Sequence, residues 1–199
     1  MSSHTQHLPK AERQASTVQT VIQMAAEQNP EEITTSAIAK KMGLSQGALF
    51  RHFPSKEAIL QAVMAWVADK LLQRVDEASR GKTPLDALES VFLAHVHFVL
   101  AHPGVPRMLL GELQRSKATP AKQIARTLMA SYSQKIRVLI RQGVAAGELR
   151  VDVHEKVAAT MFLGVIQGLV MQSLLADNNK DIEPQAIEVF KIYKRGIEA

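Results

Sequence analysis

The stretch from Ile33 to Ile59, ITTSAIAKKMGLSQGALFRHFPSKEAI, decides the fold of this chain. Ile33 precedes Thr34 and Ile38 follows it, the arrangement of a hydrophobic staple around a threonine N-cap. A side-chain hydroxyl at this position satisfies a backbone N–H group that the first turn of a helix leaves free. The pattern therefore predicts a short helix of about two turns that begins at Thr34.

A turn and a second short helix follow. Gly43 stands where the chain needs a positive φ, and Ser45 is placed to cap the next helix. Ala39, Gly43 and Leu49 are spaced four and six residues apart. This spacing puts a small residue where two helices cross, a glycine in the turn and an apolar plug between the helices, and it predicts a helix-turn-helix motif.

The run Gly47 to Glu57, GALFRHFPSKE, resembles the recognition helix and the start of the fourth helix of TetR-family transcriptional regulators. Counting the first helix, the resemblance covers roughly a quarter of the 199 residues. It implies an N-terminal domain that binds double-stranded DNA. It also implies a helical C-terminal domain that dimerises and encloses a cavity for a small, usually hydrophobic effector.

Helical periodicity continues through the rest of the chain, and strand alternation is almost absent. We predict an all-α protein of about nine helices, at residues 10–28, 34–41, 45–52, 55–80, 84–102, 105–116, 120–146, 153–177 and 184–197. The short helices cluster before residue 55. We therefore predict a helix-turn-helix domain over residues 1–54, with a short disordered tail at its start, and an effector-binding and dimerisation domain over residues 55–199.

Composition narrows the function classes. The chain has no cysteine, which excludes a disulfide framework, thiol catalysis and cysteine-ligated zinc. The first ten residues lack the apolar run of a secretory signal, so we expect a cytoplasmic protein. No nucleophile stands at a recognisable spacing from a base, and no glycine loop for phosphate is present. We expect neither an enzyme nor a bound cofactor.

The DNA contacts follow from the position of the recognition helix. Gln46 lies in its first turn, where an amide can pair with adenine, and small Gly47 and Ala48 let the backbone approach base edges. The family position that matches Gln46 reads bases. Phe50 departs from the family, which usually has a tyrosine that bonds a phosphate. The predicted DNA-binding residues are Thr34, Thr35, Ser45, Gln46, Gly47, Ala48, Phe50, Arg51, His52 and Lys56.

Soft and aromatic side chains mark the effector domain. The candidate pocket residues are Trp66, His95, Phe98, Met108, Met129, Tyr132 and Phe162. His95, His97 and His102 also raise the possibility of a metal site. No carboxylate within one turn completes a ligand set, so we favour a hydrogen-bonded pocket or core histidine and predict no metal.

Residues 157–176 contain no charged side chain. A helix of this length could cross a bilayer. Thr160, Gln167, Gln172 and Ser173 argue against a membrane span and for a buried helix in a protein that does not enter the membrane. An apolar helix on the outside of a domain must be covered, and a second subunit is the simplest cover. The candidate homodimer contacts are Met161, Gly164, Gly168, Met171, Leu175 and Phe190.

These patterns support one principal function and two alternatives. The principal hypothesis is a homodimeric TetR-like repressor that a small effector releases from an inverted-repeat operator. The first alternative is an effector-independent architectural or cell-division protein that binds DNA with the same scaffold. The second is a helical enzyme with a histidine site, which the missing catalytic pairs disfavour.

Overall fold

The computed structural model describes residues 9–176 and 182–199, and within them the chain is all-α. A 3-10 helix (η1, Pro30–Glu32) follows the first of nine α-helices. These are α1 (Lys10–Glu27), α2 (Thr35–Lys41), α3 (Gln46–Phe50), α4 (Lys56–Ser79), α5 (Pro84–Ala101), α6 (Gly104–Gln114), α7 (Pro120–Ala145), α8 (Glu155–Ala176) and α9 (Ile182–Ile197). The predicted fold class is confirmed. Residues 1–8, within the predicted disordered tail, and residue 177, the last of the predicted helix 153–177, lie outside the described residues.

The predicted caps of the helix-turn-helix motif are present. Thr34 Oγ1 accepts a hydrogen bond from Ala37 N at 3.1 Å, and Ser45 Oγ accepts one from Ala48 N at 3.1 Å. Gly43 has a φ of 67°, which a side chain would make costly. Each of these local signals satisfies a backbone group or permits a turn, and together they fix where α2 and α3 begin.

Two local features at helix ends add to the helix ranges predicted from the sequence. Asn29 and Pro30 end α1 but also start η1, because the Asn29 side chain accepts a hydrogen bond from Glu31 N at 3.1 Å. Asp152 and Glu155 have the three-residue spacing of a capping box but do not form one, because α8 begins at Glu155 and Asp152 is not its N-cap residue. Asp152 bonds Arg150 at 2.7 Å, and Glu155 accepts from Arg137 Nε at 3.0 Å, so arginines have taken both carboxylates.

The chain divides into two compact units. The first consists of Met1–Val67 and His102–Ala125, and the second of Ala68–Ala101 and Arg126–Ala199. The change of unit therefore falls inside α4, and α6 belongs with the helix-turn-helix motif. The predicted division between residues 54 and 55 remains a prediction.

In the first unit, α6 packs closely against α1. Gly104 makes this approach possible. A Cβ atom at this position would overlap the carbonyl oxygen of Ile22 and lie 2.8 Å from Ala26 N. Because the neighbouring atoms belong to the backbone, they cannot move aside cheaply, and glycine is required here.

In the second unit, α5, α8 and α9 pack together around an aromatic cluster. The rings of Phe92, Phe162, Phe190 and Tyr193 lie with centroids 5.2–5.8 Å apart. Among the described residues, α5 and α8 are long and apolar enough to cross a membrane by length and composition. Both contribute to this cluster, as the core helices of a soluble domain do.

Candidate nucleic-acid interface

The short helix α3 presents its first turn to solvent and its last turn to the core. Gln46 and Gly47 are exposed, Ala48 is half-buried, and Leu49 is fully buried. Leu49 therefore serves as the predicted plug beneath the helix. With Leu49 and the Ser45 cap fixing the backbone, the residues predicted to contact bases face outward.

Gly47 has free space around it. A Cβ atom built at this residue meets no heavy atom within 4 Å, outside its own helix backbone and chain neighbours. The packing of this unit therefore does not demand glycine here. A glycine here would instead let the edge of a DNA base approach the backbone closely.

Gln46 is held by a side chain from the preceding helix. Its Nε2 atom donates a hydrogen bond to Thr35 Oγ1 at 2.9 Å. Thr35 is half-buried at the first position of α2, next to its cap residue Thr34. The structure thus brings together three of the predicted DNA-binding residues across two helices.

Two larger side chains continue the exposed surface. Phe50 remains 39% exposed at the end of α3. Arg51 follows it and is also exposed. An apolar ring and a guanidinium group here can contact a sugar or thymine methyl and a phosphate, respectively.

His52 and Lys56 point partly into the protein. The Nδ1 atom of His52 is buried and has no hydrogen-bond partner among the described residues, while its carbonyl accepts from Gln14 Nε2 at 3.2 Å. Lys56 Nζ donates to the Glu31 carbonyl at 2.8 Å. This bond uses one of the three N–H donors of the ammonium group and leaves two for a DNA phosphate.

Burial lowers the pKa of Lys56, and the nearby Arg115 guanidinium lowers it further. Glu31 and Arg115 also line a cleft between η1, α4 and α6, together with Pro30, Lys56, Leu60, Met108, Gly111 and Glu112. Sequence reasoning missed Gln14, Glu31 and Arg115. The Asn29-Pro30 pair could have indicated η1, but nothing local indicates that Arg115 returns to this side of the first unit.

The predicted pocket residues are divided between the two units. Trp66 and Met108 belong to the first unit, and His95, Phe98, Met129, Tyr132 and Phe162 belong to the second. His95 Nδ1 lies 3.0 Å from Tyr132 Oη. Phe162 is part of the aromatic core, and Phe98 lies beneath the Arg74 guanidinium at 5.4 Å. Of the predicted pocket residues, only Met108 lines the cleft described above.

The three candidate histidines have three different surroundings. His95 is partly buried beside Tyr132, His97 Nε2 lies 2.9 Å from Glu183 Oε1, and His102 meets the edge of Trp66 with centroids 5.1 Å apart. Desolvation by the surrounding protein lowers the pKa of His95 to about 4. The described residues contain no group of three His, Asp or Glu side chains suited to a metal ion.

The candidate dimer contacts separate into an exposed stripe and one core residue. Phe190 is only 1% exposed and belongs to the aromatic cluster, so it is not on the surface of α9. The stripe on α8 is accessible along its whole length. It comprises Met161, Gly164, Gly168, Met171 and Leu175.

The fold and this surface define the class: a helix-turn-helix DNA-binding protein with a larger helical domain. Residues 21–63 match the family of bacterial regulatory proteins named tetR, and residues 81–171 match the tetracyclin repressor-like C-terminal domain. The two matches cover about two thirds of the chain. This chain belongs to the TetR family of DNA-binding regulators.

Two relatives match this chain over most of its length. The chain is 26% identical over 186 residues to the nucleoid occlusion factor SlmA of Vibrio atlanticus, covering 92% of this chain and 93% of that protein. The SlmA of Shewanella oneidensis is 24% identical over 165 residues, covering 82% and 84%.

Two solved structures share the fold. FadR from Bacillus subtilis in complex with stearoyl-CoA has a TM-score of 0.80 at 21% identity, covering 92% of this chain and 98% of that one. The ketosteroid regulator KstR2 of Mycobacterium tuberculosis has a TM-score of 0.79 at 19% identity, covering 94% and 95%.

Proposed function

We propose that this chain is a cytoplasmic, homodimeric transcriptional repressor that binds an inverted-repeat operator. The observation that carries the proposal is the first turn of α3, where Gln46 and Gly47 are exposed and a methyl group on Gly47 would meet nothing in the protein. Two copies of α3 related by a two-fold axis would occupy major grooves roughly 34–36 Å apart, about one turn of DNA.

A small, hydrophobic effector releases the repressor in this proposal. The second unit combines apolar side chains with a polar pair, the partly buried His95 and the buried Tyr132. An effector with an apolar body and one polar group suits such an interior. Because FadR was crystallised with stearoyl-CoA, fatty acids and their CoA esters are the first ligands to test.

A second candidate function is an effector-independent role in DNA organisation or cell division. The relatives named nucleoid occlusion factor favour it, since they match over most of this chain. The two candidates share the DNA-binding surface and differ in the requirement for an effector.

Operator binding is tested first with DNA flanking the protein's own gene, in a mobility-shift assay at two salt concentrations. A specific regulator retains one fragment well above random DNA, and Gln46→Ala reduces that preference by ~1–3 kcal/mol at one base pair. Equal losses of affinity on operator and random DNA for Gln46→Ala would show that this residue does not read bases.

Effector control is tested by thermal unfolding in the presence of fatty acids, acyl-CoA esters and steroids. A ligand at 100 times its dissociation constant adds about 2.7 kcal/mol to the free energy of unfolding. The same ligand must also reduce operator retention. An unchanged melting temperature across the panel favours the effector-independent role.

A further inference from the structure

We propose that Thr35 is a positioning residue that orients the carboxamide of Gln46 and thereby sets which base the recognition helix accepts. The inference rests on the proposed function, because it assumes that Gln46 reads a base pair. Beyond that function, it assigns a role to Thr35, which need not touch the base itself. It also predicts how base specificity changes when Thr35 is substituted.

The hydrogen bond between the two side chains joins two separately fixed backbones. On the α2 side, the Thr34 cap and buried Ile38 hold Thr35 in place. On the α3 side, the Ser45 cap and buried Leu49 hold Gln46. The 2.9 Å bond from Gln46 Nε2 to Thr35 Oγ1 therefore spans a gap that packing has already set.

Thr35 reduces the cost of ordering Gln46. A free glutamine side chain loses much rotamer freedom when a partner immobilises it, one of the larger side-chain costs. The bond to Thr35 pays part of that cost before DNA arrives, which is the general effect of preorganisation. Once DNA excludes water from this surface, the bond no longer competes with solvent and becomes stronger.

The bond also fixes which end of the carboxamide faces the groove. With one Nε2 hydrogen held by Thr35, the second hydrogen and Oε1 remain for the base. Adenine offers an acceptor at N7 and a donor at N6, which match that pair. Guanine offers two acceptors, N7 and O6, and so favours both Nε2 hydrogens turned toward it. Thr35 therefore favours adenine over guanine.

The test begins with selection of binding sites from a random DNA library by the full-length wild-type protein. Gln46→Ala then identifies the base pair that Gln46 reads. Affinities for the four bases at that position are measured for Thr35→Val, which keeps the side-chain shape, and for Thr35→Ser, which keeps the hydroxyl. Thr20→Val is the matched control, since its hydroxyl bonds the Ser16 carbonyl on α1 and not the recognition helix.

Thr35→Val is expected to lower the adenine-to-guanine preference at that one position by about 2- to 10-fold, the range of a single neutral hydrogen bond. Thr35→Ser should keep the preference, and Thr20→Val should leave it unchanged. In a Gln46→Ala background, Thr35→Val should have no further effect on that position, because the orienting bond has no carboxamide to hold.

A uniform loss of affinity by Thr35→Val for all four bases would overturn the inference and leave Thr35 as a backbone contact only. A Gln46→Ala protein with unaltered base preference would overturn it too. Failure of the proposed function has a different signature, since the wild-type protein would then select no sequence from the library.

Discussion

Gly47 is the residue at which the proposed DNA interface and the stability of the helix make opposite demands. Glycine inside a helix normally weakens it by roughly 0.5–1 kcal/mol relative to alanine. The space around Gly47 would accept a methyl group without any collision in the protein. Gly47 therefore makes the folded state less stable than alanine would, at the surface where we place DNA.

Gly47→Ala is therefore expected to raise the free energy of unfolding by up to about 1 kcal/mol while weakening operator binding at least tenfold. Chemical denaturation and mobility-shift titration measure the two effects on one preparation. Gly196→Ala is the control, because it makes the same exchange in open space on α9. If both variants bind DNA like the wild type, Gly47 lies outside the interface.

His95 gives a prediction about pH. Its pKa of about 4 in the folded protein lies below the ordinary value of 6.5 for an unfolded chain. Between these values the unfolded state binds a proton that the folded state does not, so stability falls as the pH falls. The loss is complete near pH 4 and is absent above about pH 7.

We expect the protonation equilibrium of His95 to lower the free energy of unfolding by about 2 kcal/mol when the pH falls from 7 to 5. His95→Gln keeps a polar partner for Tyr132 and removes the titration. Urea denaturation at both pH values compares the two proteins. If the wild-type protein loses no more stability between the two pH values than His95→Gln does, then protonation of His95 does not destabilise the folded state.

Side-chain partners were the least predictable feature at this scale. Lys56 is one of the predicted DNA-binding residues, yet its amine bonds the Glu31 carbonyl and lies near Arg115. These partners are 25 and 59 residues away in the chain. No local pattern encodes such distances, so the residue types indicated the surface but not the resting position of each charge.

At the scale of elements, the sequence predicts what is decided locally. Thr34, Gly43 and Ser45 act on backbone groups within three residues of themselves, and each behaves as its chemistry requires. Asp152 does not act as a cap, because α8 begins at Glu155 and the residue before it is His154; Asp152 instead bonds Arg150, two residues away.

The contact of α6 with α1 depends on one glycine. Gly104→Ala places a methyl group against backbone atoms of Ile22 and Ala26, which cannot be relieved by a side-chain rotation. We expect a loss of about 1–3 kcal/mol or more in unfolding free energy, the usual cost of overpacking.

Gly111→Ala is the matched comparison in the same helix, since a methyl group there meets nothing within 4 Å. It should leave stability unchanged or raise it slightly. Thermal unfolding followed by circular dichroism separates the two variants. Equal melting temperatures would show that α1 and α6 have room to move apart without cost.

At the scale of the whole molecule, the chain returns on itself in a way that periodicity cannot reveal. His102–Ala125 leaves the second unit and joins the helix-turn-helix motif. The pocket prediction treated all helices after residue 55 as one group. In the structure, Trp66 and Met108 belong to a different unit from the other candidates. Helix lengths follow from local spacing, whereas the grouping of helices follows from long-range packing.

The α8 stripe is the large-scale feature that calls for a partner. Its residues recur at three- and four-residue steps, and Met161 and Leu175 at its two ends are 50% and 74% exposed. Apolar side chains in a continuous exposed row mark a contact surface. Glycines in the middle of the row, Gly164 and Gly168, permit a second helix to approach closely.

The double variant Met161→Glu and Leu175→Glu is expected to fold as the wild type does, because both side chains point to solvent. It should sediment as a monomer at micromolar concentration, since dimerisation would bury carboxylates without partners. Operator affinity should fall by about 100-fold or more, because the second recognition helix no longer arrives with the first. Val151→Glu, at a residue that is 91% exposed in the loop before α8, adds one such carboxylate outside the stripe and should remain dimeric. A double variant that still forms dimers would place the interface elsewhere on the molecule.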